Sequence, residues 1–90
     1  MTWKIEYSKT AQQSLHRMDR HTAERILDYM EQRIATLQDP RTHGKALKGP
    51  FGELWRYRLG DYRIVCQIQY GTLCILALNI GHQSKIYKPH

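Results

Sequence analysis

Within the segment LWRYRLGDYRIV, Leu54 to Val65, three arginines fall inside eight residues: Arg56, Arg58 and Arg63. Guanidinium groups are planar, permanently charged forks that grip phosphate or carboxylate oxygens through paired N–H groups. Held on one surface, these side chains would form an oxyanion site. Whether they share a surface depends on the Gly60-Asp61 pair between them. Glycine at the first central position suits a two-residue hairpin turn of type II′. With that turn Leu59 opposes Tyr62, Arg58 opposes Arg63, Tyr57 opposes Ile64, and Arg56 opposes Val65. Opposed residues project to the same side, and neighbours along a strand alternate. One side then receives Trp55, Tyr57, Leu59, Tyr62, Ile64 and Cys66, and the other receives the arginines. Like charges directly opposed destabilise a sheet by roughly a few tenths of a kcal/mol. A sheet chosen for stability alone would set a carboxylate there. A solvated basic face neutralised by ambient anions is the plain alternative, and a slip of one residue would scatter the arginines.

Other candidates lie nearby in sequence. The tail GHQSKIYKPH is expected to bring His82, Lys85 and Tyr87 to one end of the sheet. Beside a cationic face, an aromatic ring could stack on a splayed base, and an imidazole could carry a proton. An incidental loop histidine and a tyrosine packed on the sheet edge are the alternatives. Arg41, Lys45 and Lys48 read as a solvated loop face, with Lys45 and Lys48 also candidates for contact with a substrate. Cys66 and Cys74 lack CxxC spacing and have no histidine at ligand distance. They read as buried reduced thiols, with a disulfide across one hairpin left geometrically open. No metal and no cofactor are expected.

The elements that must position these groups follow from pattern. TWKIEY alternates as a short first strand. Ser8 suits the N-cap of a helix with Ala11, Leu15 and Met18 on one stripe. MDRHT breaks that helix, and Thr22 is a candidate cap for a second one. There Ala23, Ile26, Leu27, Met30, Ile34 and Leu37 keep the spacing of a core-facing stripe. QDPRTHGKALKGPFGE, rich in glycine and proline, reads as loop. Strands follow at 54–59, 62–69 and 72–80, the last apolar on both faces and so interior to the sheet. The order β-α-α-β-β-β predicts an α+β fold, one domain over 1–90, with an antiparallel sheet covered on one face by a helical hairpin. Two helices cover only one face of such a sheet, so the other must be wet, partnered or used.

The net charge is +6, from 14 Lys and Arg against 8 Asp and Glu. Up to residue 40 the charges cancel; beyond it Arg41, Lys45, Lys48, Arg56, Arg58, Arg63, Lys85 and Lys88 face only Glu53 and Asp61. A surplus confined to one region suggests a polyanion or an acidic partner. The opening MTWKIEYSKT has no apolar segment of a secretory signal, and no apolar run approaches the roughly 18 residues that span a bilayer. A cytoplasmic protein is expected.

Taken together, DPRTHGKALKGPFGELWRYRLGDYRIVCQI and the later LNIGHQSKIY resemble the RelE toxins of bacterial toxin–antitoxin pairs, in the RelE/ParE superfamily. The resemblance runs over essentially the whole chain. It implies a ribosome-dependent endoribonuclease that cuts mRNA in the ribosomal A site. There the ribose 2′-OH attacks the adjacent phosphodiester and leaves a 2′,3′-cyclic phosphate and a 5′-OH. By position, Arg56 and Arg58 stand where the family has basic residues, and Arg63 is the arginine that contacts the scissile phosphate. Tyr87 is the tyrosine that orients the nucleotide. Gln83 replaces a family arginine and can donate a hydrogen bond without charge or a transferable proton. His82 and Lys85 are the residues placed to compensate. The resemblance further implies an acidic RelB-like antitoxin as partner, and operator DNA bound by the toxin–antitoxin complex through the antitoxin. Two other readings stay open: a ParE-like inhibitor of DNA gyrase, and a non-catalytic module that only binds an antitoxin.

Overall fold

The computed structural model describes residues 2–47 and 54–82. Its elements run β1 (Lys4–Tyr7), α1 (Lys9–Arg17), α2 (Arg20–Asp28), β2 (Lys45–Leu47), β3 (Leu54–Leu59), β4 (Tyr62–Gln69) and β5 (Cys74–His82). The strands form one sheet in the order β1-β5-β4-β3-β2. Strands β2 to β5 are a meander of antiparallel neighbours, whereas β1 lies parallel to β5. The sheet is therefore mixed, where the pattern predicted antiparallel pairing throughout. The helical hairpin between β1 and the meander sets the direction of β1, and alternation within β1 carries no information about it.

Ser8 caps α1 as expected, accepting from the Ala11 amide at 3.1 Å while its hydroxyl donates to the Leu78 carbonyl at 2.7 Å. One side chain thus starts the helix and fastens it across β5. The second cap is Asp19, not Thr22. The Asp19 carboxylate accepts from both the amide and the hydroxyl of Thr22, at 3.0 and 2.7 Å. An ionised carboxylate takes two such bonds more strongly than a hydroxyl can take one. Past Asp28 the chain widens into π-helical turns over Tyr29–Ile34, closed by the Ala35 amide on the Met30 carbonyl. Ile26, Met30 and Ile34 still share one buried stripe and face Tyr57, Ile64, Cys66, Ile75, Ala77 and Ile80 of the sheet. A bulge at Val65/Cys66 pairs Cys66 with Ala77 but Val65 with Asn79. The bulge leaves an extra residue, Leu78, on β5, so Ala77 and Ile80 reach the same core from positions three apart.

Residues 38–53 are not all loop. Pro40–Thr42 form a 3-10 turn, and Lys45–Leu47 join the sheet edge as β2. Side chains of β3 pull this segment in: Tyr57 Oη donates to the Pro40 carbonyl at 2.7 Å, and Trp55 Nε1 donates to the His43 carbonyl at 2.6 Å. Gly44 sits at φ +77, where a Cβ would collide with the Arg56 carbonyl and the Trp55 ring. Only glycine permits that approach. The last strand begins at Cys74, after a 3-10 turn over Tyr70–Thr72 and a left-handed Leu73. Among the described residues no helix is long and apolar enough to cross a membrane.

Candidate functional site

The β3–β4 hairpin has the register that the Gly60-Asp61 turn implies. Leu59 pairs with Tyr62, Arg58 with Arg63, Tyr57 with Ile64, and Arg56 with Val65. Gly60 has positive φ and Asp61 does not, as type II′ requires. Tyr57 and Ile64 are fully buried under the helices, so Arg56, Arg58 and Arg63 share the opposite face.

Two rows of side chains cross that face. One runs Lys45, Arg56, Val65, Asn79; the next runs Arg58, Arg63, Gly81. Two pairs of like charges, Lys45 with Arg56 and Arg58 with Arg63, are directly opposed and lie side by side. Neighbouring strands are about 5 Å apart and same-face residues about 7 Å, so four cations fit around a single phosphate. Lys45 belongs to this cluster because β2 is a strand, which the glycine and proline around it hid from sequence reading.

The arginines differ in depth. Arg58 is exposed, Arg56 is partly covered, and Arg63 is only 7% exposed. Burial, followed by the charges of Arg56 and Arg58, lowers the pKa of the Arg63 guanidinium from its ordinary value. It remains a cation at any physiological pH. An added anion would relieve the repulsion that Arg63 meets from both neighbours. A concavity of about 210 Å³ is lined by Gly44, Lys45, Arg56 and Arg58 together with Tyr29 of the helical layer.

His82 is on the other face. It pairs with Tyr62, stands edge-on to that ring at 5.4 Å between centroids, and approaches the Asp61 carboxylate at 4.0 Å. It reaches the expected end of the sheet but does not project among the arginines. Lys48, Gln83, Lys85 and Tyr87 lie outside the described residues. Arg41, read as a solvated loop cation, stacks over Trp55 at 5.3 Å and Tyr70 at 5.4 Å.

The cysteines are free and separated by the sheet. Cys66 faces the core, whose burial raises its thiol pKa. Cys74 donates to Glu6 at 3.4 Å on the arginine side but far along it. A disulfide between them is ruled out by those opposite orientations. Among the described residues no group of His, Cys, Asp and Glu is placed to hold a metal ion. A second, shallower groove of about 670 Å³ lies on the helical side, lined by cations Arg25 and Arg33 and by Tyr29, Leu37, His43 and Leu59 among others.

Comparison with known proteins agrees with this architecture. No curated protein matches the chain. The toxin–antitoxin complex RelBE2 from Mycobacterium tuberculosis is similar with a TM-score of 0.82 and 18% identity, over 91% of this chain and 92% of that one. A free RelE mutant from E. coli matches with a TM-score of 0.74 and 16% identity, over 98% and 90%. The RelE–RelB complex from Pyrococcus horikoshii gives 0.67 and 23%, over 94% and 99%. At such identities the likeness is one of fold. The sequence itself matches the family model described as the ParE toxin of the type II toxin–antitoxin system parDE, over residues 5–87. The chain therefore belongs to the RelE/ParE superfamily and is the toxin component of a type II toxin–antitoxin system.

Proposed function

We propose that this toxin is a ribosome-dependent mRNA endoribonuclease that stops translation. The observation that carries the reading is the two pairs of opposed cations on the face turned away from the helices, Lys45 with Arg56 and Arg58 with Arg63. Like charges directly opposed destabilise a sheet, and together they form a site that attracts a phosphate. In cleavage, the 2′-oxygen attacks phosphorus and negative charge builds on the non-bridging oxygens. Arg56, Arg58 and Arg63 stabilise that charge with donors that the sheet holds on one face before substrate arrives. Tyr87 orients the flanking nucleotide. The face is a shallow cationic surface, so in-line geometry must come from the ribosome and the mRNA it holds.

Storage of such a toxin calls for a partner. An acidic RelB-like antitoxin would neutralise the basic second half of the chain, as the related complexes from Mycobacterium tuberculosis and Pyrococcus horikoshii suggest. The helical-side groove offers Arg25 and Arg33, with Asp28 between them in sequence, beside Leu37 and Leu59 to an amphipathic segment. Operator DNA would be reached through that antitoxin, in the cytoplasm.

Poisoning of DNA gyrase is the second reading, favoured by the family model's description as a ParE toxin and by the location of His82 away from the arginines. Primer extension on an mRNA in a reconstituted translation system, run beside a gyrase supercoiling assay, separates the two. Ribosome-dependent breaks are expected. Loss of supercoiling with intact mRNA would overturn the nuclease reading, and silence in both would leave a binding module.

A further inference from the structure

Cutting RNA through its 2′-oxygen needs more than charge. The 5′-oxygen that departs must receive a proton, and an arginine holds its protons too tightly to give one up. His82, the obvious donor by sequence, stands on the other face beside Tyr62. Glu6 and Cys74 share the arginine face but bond to each other near Gln69, roughly 13 Å along β4 from the row of Arg56. Resting on the nuclease reading above, we infer that Lys45 is the general acid that protonates the leaving 5′-oxygen.

Lys45 pairs directly with Arg56 on the face where Arg58 and Arg63 lie, and it lines the same concavity as Arg56 and Arg58. Among the described residues no carboxylate neutralises it. Its ammonium is a compact charge with three rotatable donors on a flexible stem, able to reach past Arg56 to a phosphate's far oxygen. The backbone beneath it is held. Trp55 grips the carbonyl of His43, Tyr57 grips that of Pro40, and Arg41 is stacked over Trp55 and Tyr70. Gly44 lets β2 close onto β3 where any Cβ would push it away.

The step balances as follows. The 2′-oxygen forms its bond to phosphorus and releases its proton to solvent water. The bond from phosphorus to the 5′-oxygen breaks, and that oxygen takes one proton from the Lys45 ammonium. A cyclic phosphate and a free 5′-hydroxyl result, and the neutral amine recovers its proton from water. Both arginine and lysine can stabilise the charge; only lysine can complete the transfer.

The test uses Lys45→Arg, which keeps the charge and removes the usable proton, in reconstituted translation with two mRNAs. One has an ordinary phosphodiester at the cut site; the other has sulfur in place of the bridging 5′-oxygen, whose thiolate departs without a proton. Lys45→Arg should cut the ordinary mRNA about a hundredfold or more slowly than the parent and the sulfur-bridged mRNA at the parent's rate. Equal cutting of the ordinary mRNA by both proteins, or an equal loss on both mRNAs, would overturn the role of Lys45 and leave the nuclease reading standing. A parent protein that cuts neither would remove both.

Discussion

Arg63 and Ile64 are consecutive residues of β4 with opposite obligations. Ile64 is fully buried beneath the helices and pairs with Tyr57 and Ile80, all of them part of one core. Arg63 is nearly as well covered, yet it pairs with another arginine on one side and a glycine on the other. One face of the sheet is organised to exclude water from hydrocarbon. The other sets cations directly opposite one another, Lys45 with Arg56 and Arg58 with Arg63. Stability and function are thus separated by the alternation of a strand, and neighbouring substitutions should fall on different measurements.

The largest effect expected is on activity. Arg63→Ala should lower ribosome-dependent cleavage by about a hundred- to a thousandfold, the usual consequence of losing one preorganised donor. The protein should still fold, because the Tyr57 and Ile64 core lies on the other face of the sheet. A folded Arg63→Ala protein with full toxicity would end the nuclease reading. Ile64→Ala should do the converse and destabilise by ~2–5 kcal/mol, measured by denaturant unfolding. Any protein still folded at low temperature should cut at the parent's rate. If Ile64→Ala slows cutting in the folded protein as much as Arg63→Ala does, the two faces are not independent.

Smaller changes sharpen the division. Ser8→Ala removes the cap of α1 and the bond to the Leu78 carbonyl, and should cost about 1–2 kcal/mol with cleavage unaffected. The smallest effect concerns acid. Hydrogen bonds from the Thr22 hydroxyl and then its amide hold the Asp19 carboxyl below its ordinary pKa. A depressed folded value means its stabilisation is present above the unfolded value and lost as pH falls through the folded one. Asp19→Asn keeps a capping oxygen without a titrating group, so its melting temperature should fall less than the parent's as pH drops below ~4. Parallel losses in the two proteins would show that Asp19 adds no pH dependence.

Much of the arginine face was legible because one dipeptide decides it. Gly60-Asp61 specifies a turn, the turn specifies the register, and the register specifies the side on which each residue emerges. The features that escaped have non-local causes. Lys45 becomes a sheet residue through bonds from Trp55 and Tyr57 to carbonyls in a segment whose own composition signals loop. The direction of β1 is decided by the path of two helices. MDRHT holds two capping residues three apart, and tertiary placement chooses Asp19. His82 could be assigned to the correct end of the sheet, but its side follows from pairing with Tyr62 beyond the bulge at Val65/Cys66.

The parallel contact of β1 with β5 has a consequence in time. Lys4 pairs with Cys74, and Ser8 bonds to Leu78 across a separation of 70 residues. Closing so long a loop is entropically costly until other contacts have drawn its ends together. The hairpins β3–β4 and β4–β5 need only short closures and can form first, leaving β1 and the start of α1 to dock last. During synthesis β1 emerges early and waits for its partner, so the sheet is completed only after β5 has cleared the ribosome. Both ends of that long loop must therefore be free of the ribosome before β1 can dock.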